Sequence, residues 1–507
     1  MKKVSFENSS FLYLVAELSR EFEKLEEIVA VSTNLNVLEF DDFLPDNKIK
    51  FLNVSGNKIS KIDSRVTLRL SNLETLDLSN NFFREFIPTV FNNLKKLKFL
   101  SVSHNRLSKL DDILLEYLLS VETLKFDHNK IEEIVGNFDK IDFKWKKLHL
   151  QHNQLKTFPP SLAKSLSYLD LSTNLLHEVN LENSSVIELF VKKNELEILT
   201  INKTLEKLDA SENNKFRLDL SLNNNTVLKY LDLSDTKLKA KNDFLEKIKT
   251  LLKLEYLDLS HANIQLQENT FNGLKFLRTL KLANGISSKH IPKKVFLSLT
   301  ALENLDISEN FLNNFDLNEL KNSKSLETLI MKESEINELN GCDKIKEILP
   351  SLKQIDVHGN KFKCNDLPEI IEGWKDQNIT IVWLDEIGES DFVRESCLKE
   401  DKHEARIDKS SEWSYFWCFA GVLLLLAVGF GVVVMMKKHV DTRFFDDVMQ
   451  IRYSVGRSLI NDEDLWFVLN SILQNEGRET PGSHKKYSGS HKIFSNIHQN
   501  FHKPYSS

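Results

Sequence analysis

Three histidines, His104, His128 and His152, recur every 24 residues in the contexts SHN, DHN and QHN, and His149 lies close to the last of them. Imidazoles repeated at one spacing suit a low-pH switch or a transition-metal site, because the ring titrates near neutrality and ligates zinc-like ions. Along the sequence no cysteine or carboxylate completes a tight ligand set. The row therefore reads as a solvated edge, and neither a metal nor a cofactor is expected. Aspartates recur as LDLS at Asp77, Asp170, Asp232 and Asp258. A tetrapeptide repeated in this way indicates a structural element, not two converging catalytic acids. No GxSxG, phosphate-cradling glycine loop or HExxH is present. Four cysteines without a CxxC pair indicate neither a zinc cluster nor a dithiol redox motif. No catalytic residue is expected, and the chain does not read as an enzyme.

The elements that carry these residues are repeats. LETLDLSNNFF from Leu73 returns as LKFLSVSHNRL from Leu97, VETLKFDHNKI from Val121, WKKLHLQHNQL from Trp145 and LSYLDLSTNLL from Leu166. In all, sixteen units start near Met1, Leu25, Ile49, Leu73, Leu97, Val121, Trp145, Leu166, Val186, Leu205, Leu228, Leu254, Leu277, Leu302, Leu326 and Leu352. Their three leading positions are always apolar, and an asparagine stands ninth in ten of them: Asn57, Asn81, Asn105, Asn129, Asn153, Asn174, Asn194, Asn213, Asn310 and Asn360. The chain has 507 residues, too many for one compact core, but a stack of units grows without enlarging any core. The 33 phenylalanines beside 15 glycines and 9 prolines suit a long repetitive core. A net charge of −7 creates no field that points to nucleic acid, which is not an expected partner.

This pattern resembles the leucine-rich-repeat family. The resemblance implies an α/β solenoid: a horseshoe with a parallel concave sheet, each LxxLxL forming one short strand. It also implies that the ninth-position asparagine satisfies backbone groups where the chain leaves the strand. Thr236, Ala262, Gly285 and Ser334 replace it in later units, so irregularity is expected between Leu228 and Leu352. Phe43, Phe91, Phe271 and Phe296 are expected to form a stacked spine on the outer side. The plant element GxIP is absent, so the repeats look like animal ones. The segment after the last unit resembles the carboxyl cap of extracellular members, which implies a disulfide between Cys364 and Cys397. Cys342 is left over, either as a thiol within the chain or as an interchain bridge to a homo- or heterodimer partner.

The expected domains are leucine-rich repeats over 1–362, a cap over 363–400, a juxtamembrane linker over 401–412, a transmembrane helix over 413–436 and a partly disordered cytoplasmic tail over 437–507. Tyr415 to Met436 carries no charge and is followed by Lys437-Lys438-His439, the pattern of a type I span. Six N-x-S/T sequons, at Asn8, Asn53, Asn183, Asn202, Asn224 and Asn378, precede it. They read as glycosylation sites, with Asn183, Asn202 and Asn224 on outer loops. The first unit begins at Met1 with no cap or signal peptide before it, so a longer native chain is expected. The combination resembles insect leucine-rich-repeat immune and Toll-related surface proteins without a signalling domain. It implies a cell-surface recognition receptor for a protein or glycan, with adhesion and decoy or co-receptor roles as alternatives. Concave-face positions without an intervening sequon include Phe99, Lys125, Lys146, Lys147, His149 and Tyr168, the candidate ligand-binding residues.

Overall fold

The computed structural model describes residues 2–10, 22, 24–215, 217–222, 225–238, 241–363, 367–382 and 397–398. The chain divides into two units, Met1–Asp401 and Lys402–Ser507, and the second lies outside the described residues. The expected membrane span and tail therefore lie outside them too. No helix among the described residues is long and apolar enough to cross a membrane.

Each copy of the motif supplies a short strand with its central apolar residue buried and its neighbours turned outward. These strands pair in parallel and in chain order, from Lys3–Glu7 through Phe51–Asn53 and Tyr168–Asp170 to Thr380–Ile381. The register aligns Leu52, Leu76, Leu100, Leu124 and Leu148 in one column, which continues to Ile355 and Ile381. The leucine-rich-repeat solenoid with a parallel sheet is thus the observed fold. Sixteen of the 17 strands follow the sixteen units. The last, Thr380–Ile381, lies in the segment assigned to the cap.

The ten ninth-position asparagines are all buried. The Asn129 amide nitrogen donates to the carbonyls of Val102, Phe126 and Asp127 at 3.0, 3.1 and 3.2 Å, and its Oδ1 accepts from Leu107 N at 3.0 Å. Asn81, Asn105 and Asn153 repeat this arrangement. One side chain thus satisfies four backbone groups that water cannot reach. Where asparagine is missing, Thr236 Oγ1 donates to Ala210 O at 3.0 Å and Ser334 Oγ to Ile307 O at 2.9 Å. At Gly285 the Leu259 carbonyl stands 2.5 Å from where a Cβ would sit. The expected irregularity does not reach the sheet: pairing runs unbroken from Tyr230–Asp232 to Gln354–Asp356, because a hydroxyl or a close backbone approach fills most of the gaps.

The residue before each ninth position has a left-handed backbone in all sixteen units, from Asn8 (φ 52°) to Gly359 (φ 66°). There the N–H donates to the following unit, as His104 does to Asp127 O at 3.0 Å. After the unit at Trp145, whose return carries the short helix Pro160–Ala163, the returning chain of the next four units pairs as a second sheet: Glu178–Asn180, Ile198–Thr200, Arg217–Ser221 and Lys237–Leu238. Of the expected phenylalanine spine, all four rings are buried, and Phe271 and Phe296 stack at 6.3 Å. Val66 and Leu115, also buried, occupy returning segments near Phe43 and Phe91, so the spine is not phenylalanine throughout.

Replacing Asn129 by Ala strands four buried backbone groups and should cost about 3 kcal/mol in chemical denaturation. The exposed neighbour change Lys130→Ala should stay within about 0.5 kcal/mol.

Asp42 is a second sensitive point. Its side chain is 6% exposed, and Oδ2 accepts from Glu39 N at 2.7 Å. Burial, reinforced by Glu39 and Asp41, pushes its carboxyl from the ordinary 3.8 up to about 6. The folded state therefore holds this proton more tightly than the unfolded chain, and that stabilisation is lost as pH rises through about 6. Thermal melts of Asp42→Asn, which keeps an acceptor, should match wild type near pH 4 and gain on it by about pH 7.

Candidate functional site

Strand positions on either side of the buried column face outward, and across the middle of the sheet they carry rings and lysines. Lys125 Nζ lies 5.6 Å from the Phe99 ring. Further on, His149 meets Tyr168 at 4.7 Å, and Tyr168 meets Phe190 at 5.3 Å. Lys207 Nζ then sits between Phe190 (5.0 Å) and Tyr230 (4.8 Å). Tyr230 and Tyr256 stack at 4.2 Å with planes 5° apart, and Lys281 Nζ is 5.6 Å from Tyr256. From His149 to Lys281 the contacts cross seven successive strands without a break. Lys207, Tyr230 and Tyr256 face one another in register, and the other contacts run diagonally between the first position of one strand and the last of its neighbour, which long side chains can bridge. Each ring pair adds about 0.5–1.5 kcal/mol and each exposed cation–π contact about 0.5–1 kcal/mol, so the row is held in place.

Protonation on this face follows burial. The Tyr168 and Tyr230 phenols are pushed up to about 12 by burial and neighbouring aspartates, and Tyr256 higher still for the same reasons. All three stay neutral donors at physiological pH, and Tyr256 Oη donates to Asp258 Oδ2 at 3.1 Å. Burial, and then the Lys125 charge, lowers His149 below the usual histidine range. The LDLS aspartates serve the turn: Asp232 Oδ1 accepts from Ser234 N at 2.9 Å and Ser234 Oγ at 2.7 Å, and Asp77 holds Ser79 likewise. Burial raises Asp232, with Asp258 and Asp209 adding to the effect.

Of the candidate ligand-binding residues, the structure brings Phe99 to Lys125 and His149 to Tyr168. Lys147 is exposed, in register with Tyr168. Lys146 stands apart from the rings. Its Nζ is 2.7 Å from Glu122, one of a series of edge pairs that includes Lys98–Glu74, Lys229–Glu206 and Lys353–Glu327. Phe190, Lys207, Tyr230, Tyr256 and Lys281 were missed, although each occupies the same outward positions of the repeat.

The histidine row departs from its sequence reading. His104 and His128 stack at 4.0 Å, and His128 and His152 at 4.2 Å. A carboxylate is present after all: Asp127 Oδ2 lies 3.0 Å from His128 Nδ1. Alternation along a strand would separate consecutive side chains, but the left-handed turn at His128 (φ 53°) ends it and lets them meet.

Asn202 differs too. It is 2% exposed, and its amide donates to Ser184 O, Ser184 Oγ and Val186 O at 3.0, 2.8 and 3.0 Å. Asn225 makes the equivalent bonds to Asn202 O and Leu205 O one unit on. Asn202 is therefore a second kind of ladder residue, buried and not on an exposed outer loop. Asn8, Asn183 and Asn378 are exposed, Asn53 is half-buried, and Asn224 lies outside the described residues. Cys342 is half-buried against the core, and its carbonyl accepts from Trp374 Nε1 at 3.2 Å. The backbone of Cys397–Leu398 pairs with Phe362–Lys363, but the side chains of Cys364 and Cys397 lie outside the described residues. The helix Leu367–Asp376 buries Leu367, Ile371 and Trp374.

The family model described as Leucine rich repeat matches residues 47–107. The chain is 31% identical to Toll-like receptor 2 of Boselaphus tragocamelus over 182 residues, which is 33% of this chain and 22% of that receptor. It is 34% identical to Toll-like receptor 4 of Bos taurus over 106 residues, 21% of this chain and 12% of that one. The matched region thus spans about a fifth or less of these curated relatives. Among solved structures, a leucine-rich-repeat protein of Leptospira interrogans superposes with a TM-score of 0.59 at 21% identity, covering 76% of this chain and 90% of that chain. That likeness concerns the fold alone.

Folded protein secreted from a glycosylating host should carry sugar on Asn183 and none on Asn202, as read by glycopeptide mass spectrometry. A glycan on Asn202 in folded material would contradict its place in the ladder.

Proposed function

We propose that this leucine-rich-repeat chain is a non-enzymatic cell-surface recognition receptor that binds a protein or glycan across the outward face of its long sheet. The observation that carries this reading is the unbroken row from His149 to Lys281. Neutral rings, lysines seated on them and a flanking line of aspartates together offer apolar area, cation and acceptor on one pre-ordered surface. Aromatic side chains held in place give much contact area at little cost in conformational entropy, which is how interfaces concentrate their binding energy. A sugar ring stacks on tyrosine and phenylalanine faces, and a protein supplies carboxylates to Lys207 and Lys281.

The remaining parts of the reading rest on sequence. Residues 413–436 anchor the chain as a type I membrane protein, with 1–362 outside the cell, 363–400 as a cap closed by Cys364–Cys397, and 437–507 in the cytoplasm. Similarity to Toll-like receptors 2 and 4 supports a role in innate immunity. A homo- or heterodimer partner belongs to the same reading. The half-buried place of Cys342 favours a noncovalent association over a disulfide there.

The test uses full-length chain displayed on cells, with wild type compared against Tyr168→Ala, Phe190→Ala and Tyr230→Ala combined. Proximity labelling should recover surface partners with wild type and lose them, at least about tenfold, with the variant. The leucine column is untouched, so the variant's melting temperature should fall by only a few degrees. Equal recovery by a folded variant would move the binding surface away from this row.

A further inference from the structure

We propose that His104, Asp127 and His128 form a binding site for one divalent transition ion of the zinc class. One ligand atom from each lies within 4.8 Å of the others. Two imidazoles and a carboxylate are a donor set that such ions favour, with a fourth position left for water or a partner's side chain.

The backbone arranges the donors. His104 and His128 occupy equivalent left-handed positions, with φ 54° and 53°, and their N–H groups are tied to the following unit at 3.0 and 2.9 Å. The Cα atoms are therefore fixed one strand spacing apart. The rings lie 4.0 Å apart and within 18° of parallel, so one of them must turn out of the stack for both to reach a single ion. His152, stacked behind His128 at 4.2 Å, props the row from the other side.

Asp127 is 7% exposed and fixed by Ser103, whose Oγ donates to Oδ1 at 2.6 Å. Its second oxygen, Oδ2, lies 3.0 Å from His128 Nδ1. Two ligands on one tetrahedral zinc, each about 2.0–2.1 Å from it, stand roughly 3.3 Å apart. An opening of about 0.3 Å therefore lets an ion sit between Nδ1 and Oδ2; the ring then carries its one proton on Nε2, so an imidazolium releases its Nδ1 proton to solvent while a neutral Nδ1–H ring exchanges that proton for one at Nε2. His104 is exposed and can swing its ring inward to supply the third ligand. Binding would neutralise a nearly buried carboxylate and clamp two successive units together. This site is independent of the ring row proposed for recognition.

The test is zinc titration of the full-length chain by calorimetry, with cobalt(II) as an optical probe of tetrahedral coordination. Asparagine tolerates left-handed backbone, so His104→Asn and His128→Asn spare the turn. Histidines elsewhere in the chain also bind zinc, and the measured quantity is therefore the difference between variants. Wild type should show one tight equivalent, with a tetrahedral cobalt band, that His104→Asn, His128→Asn and Asp127→Asn each weaken about 10–100-fold. His152→Asn should change it far less. Zinc should raise the melting temperature of wild type and not of His128→Asn. The same stoichiometry and affinity in folded His104→Asn and His128→Asn would overturn the site, as would a wild type that lacks the tetrahedral band.

Discussion

The carboxamide of the ninth-position asparagine is the constraint on which the rest depends. A chain that leaves a buried strand by a sharp turn strands several peptide groups where water cannot follow, and each unsatisfied group costs about 1–3 kcal/mol. One short side chain with two donors and an acceptor closes most of that deficit at once, reaching into its own turn and into the preceding unit. Because its partners lie in two units, it fixes their relative register as well as the turn. The leucine column and the outward positions then follow with strand spacing. Thr236 and Ser334 keep only part of this bonding and Ala262 and Gly285 have no side chain to make it, yet the parallel register continues across those units.

Features governed by this constraint were legible in the sequence. The strands, their parallel order, the buried asparagines and the burial of Phe43, Phe91, Phe271 and Phe296 all follow from a period repeated many times, in which noise at one position is outvoted by the others. Features that depend on a single local departure were not. The sequon at Asn202 looks like any exposed sequon, yet its side chain turns inward to bond Ser184 and Val186. The carboxylate beside His128 was hidden by the assumption of strand alternation, which fails at the left-handed residue. Of the recognition row, His149 and Tyr168 were visible, beside the separate pair Phe99 and Lys125, because no sequon interrupts the face there, and the units beyond the sequon at Asn183 fell outside that criterion. The outward positions keep their geometry in those units, and Phe190, Lys207, Tyr230 and Tyr256 continue the row.

Charge is organised by the same spacing. Glutamate and lysine face each other across adjacent strands at one edge, in pairs such as Glu74–Lys98 and Glu122–Lys146. Exposed pairs of this kind add little stability, about 0–1 kcal/mol each. Their effect is to balance charge locally along that edge. Lys125, Lys207 and Lys281 are instead held over rings, where the aromatic face orients the ammonium without cancelling its charge. Lys281 also lies 3.7 Å from Asp258, which ties the end of the row to the aspartate line.

The left-handed residue that precedes each asparagine has the opposite relation to sequence. Its conformation disfavours most side chains by roughly 1–2 kcal/mol, and glycine or asparagine would be the least strained choices. Yet the position also carries lysine at 193, glutamate at 212, 309 and 333, and histidine at 104, 128, 152 and 261. The strain is tolerated because the N–H it directs at the following unit bonds in nearly every case. The backbone is therefore indifferent to what the side chain does, and these residues lie one strand apart along the solenoid edge. A column whose geometry is fixed by the main chain and whose side chains are unconstrained by packing is where new chemistry can be installed without disturbing the core. The three stacked imidazoles, with Asp127 beside them, occupy that column.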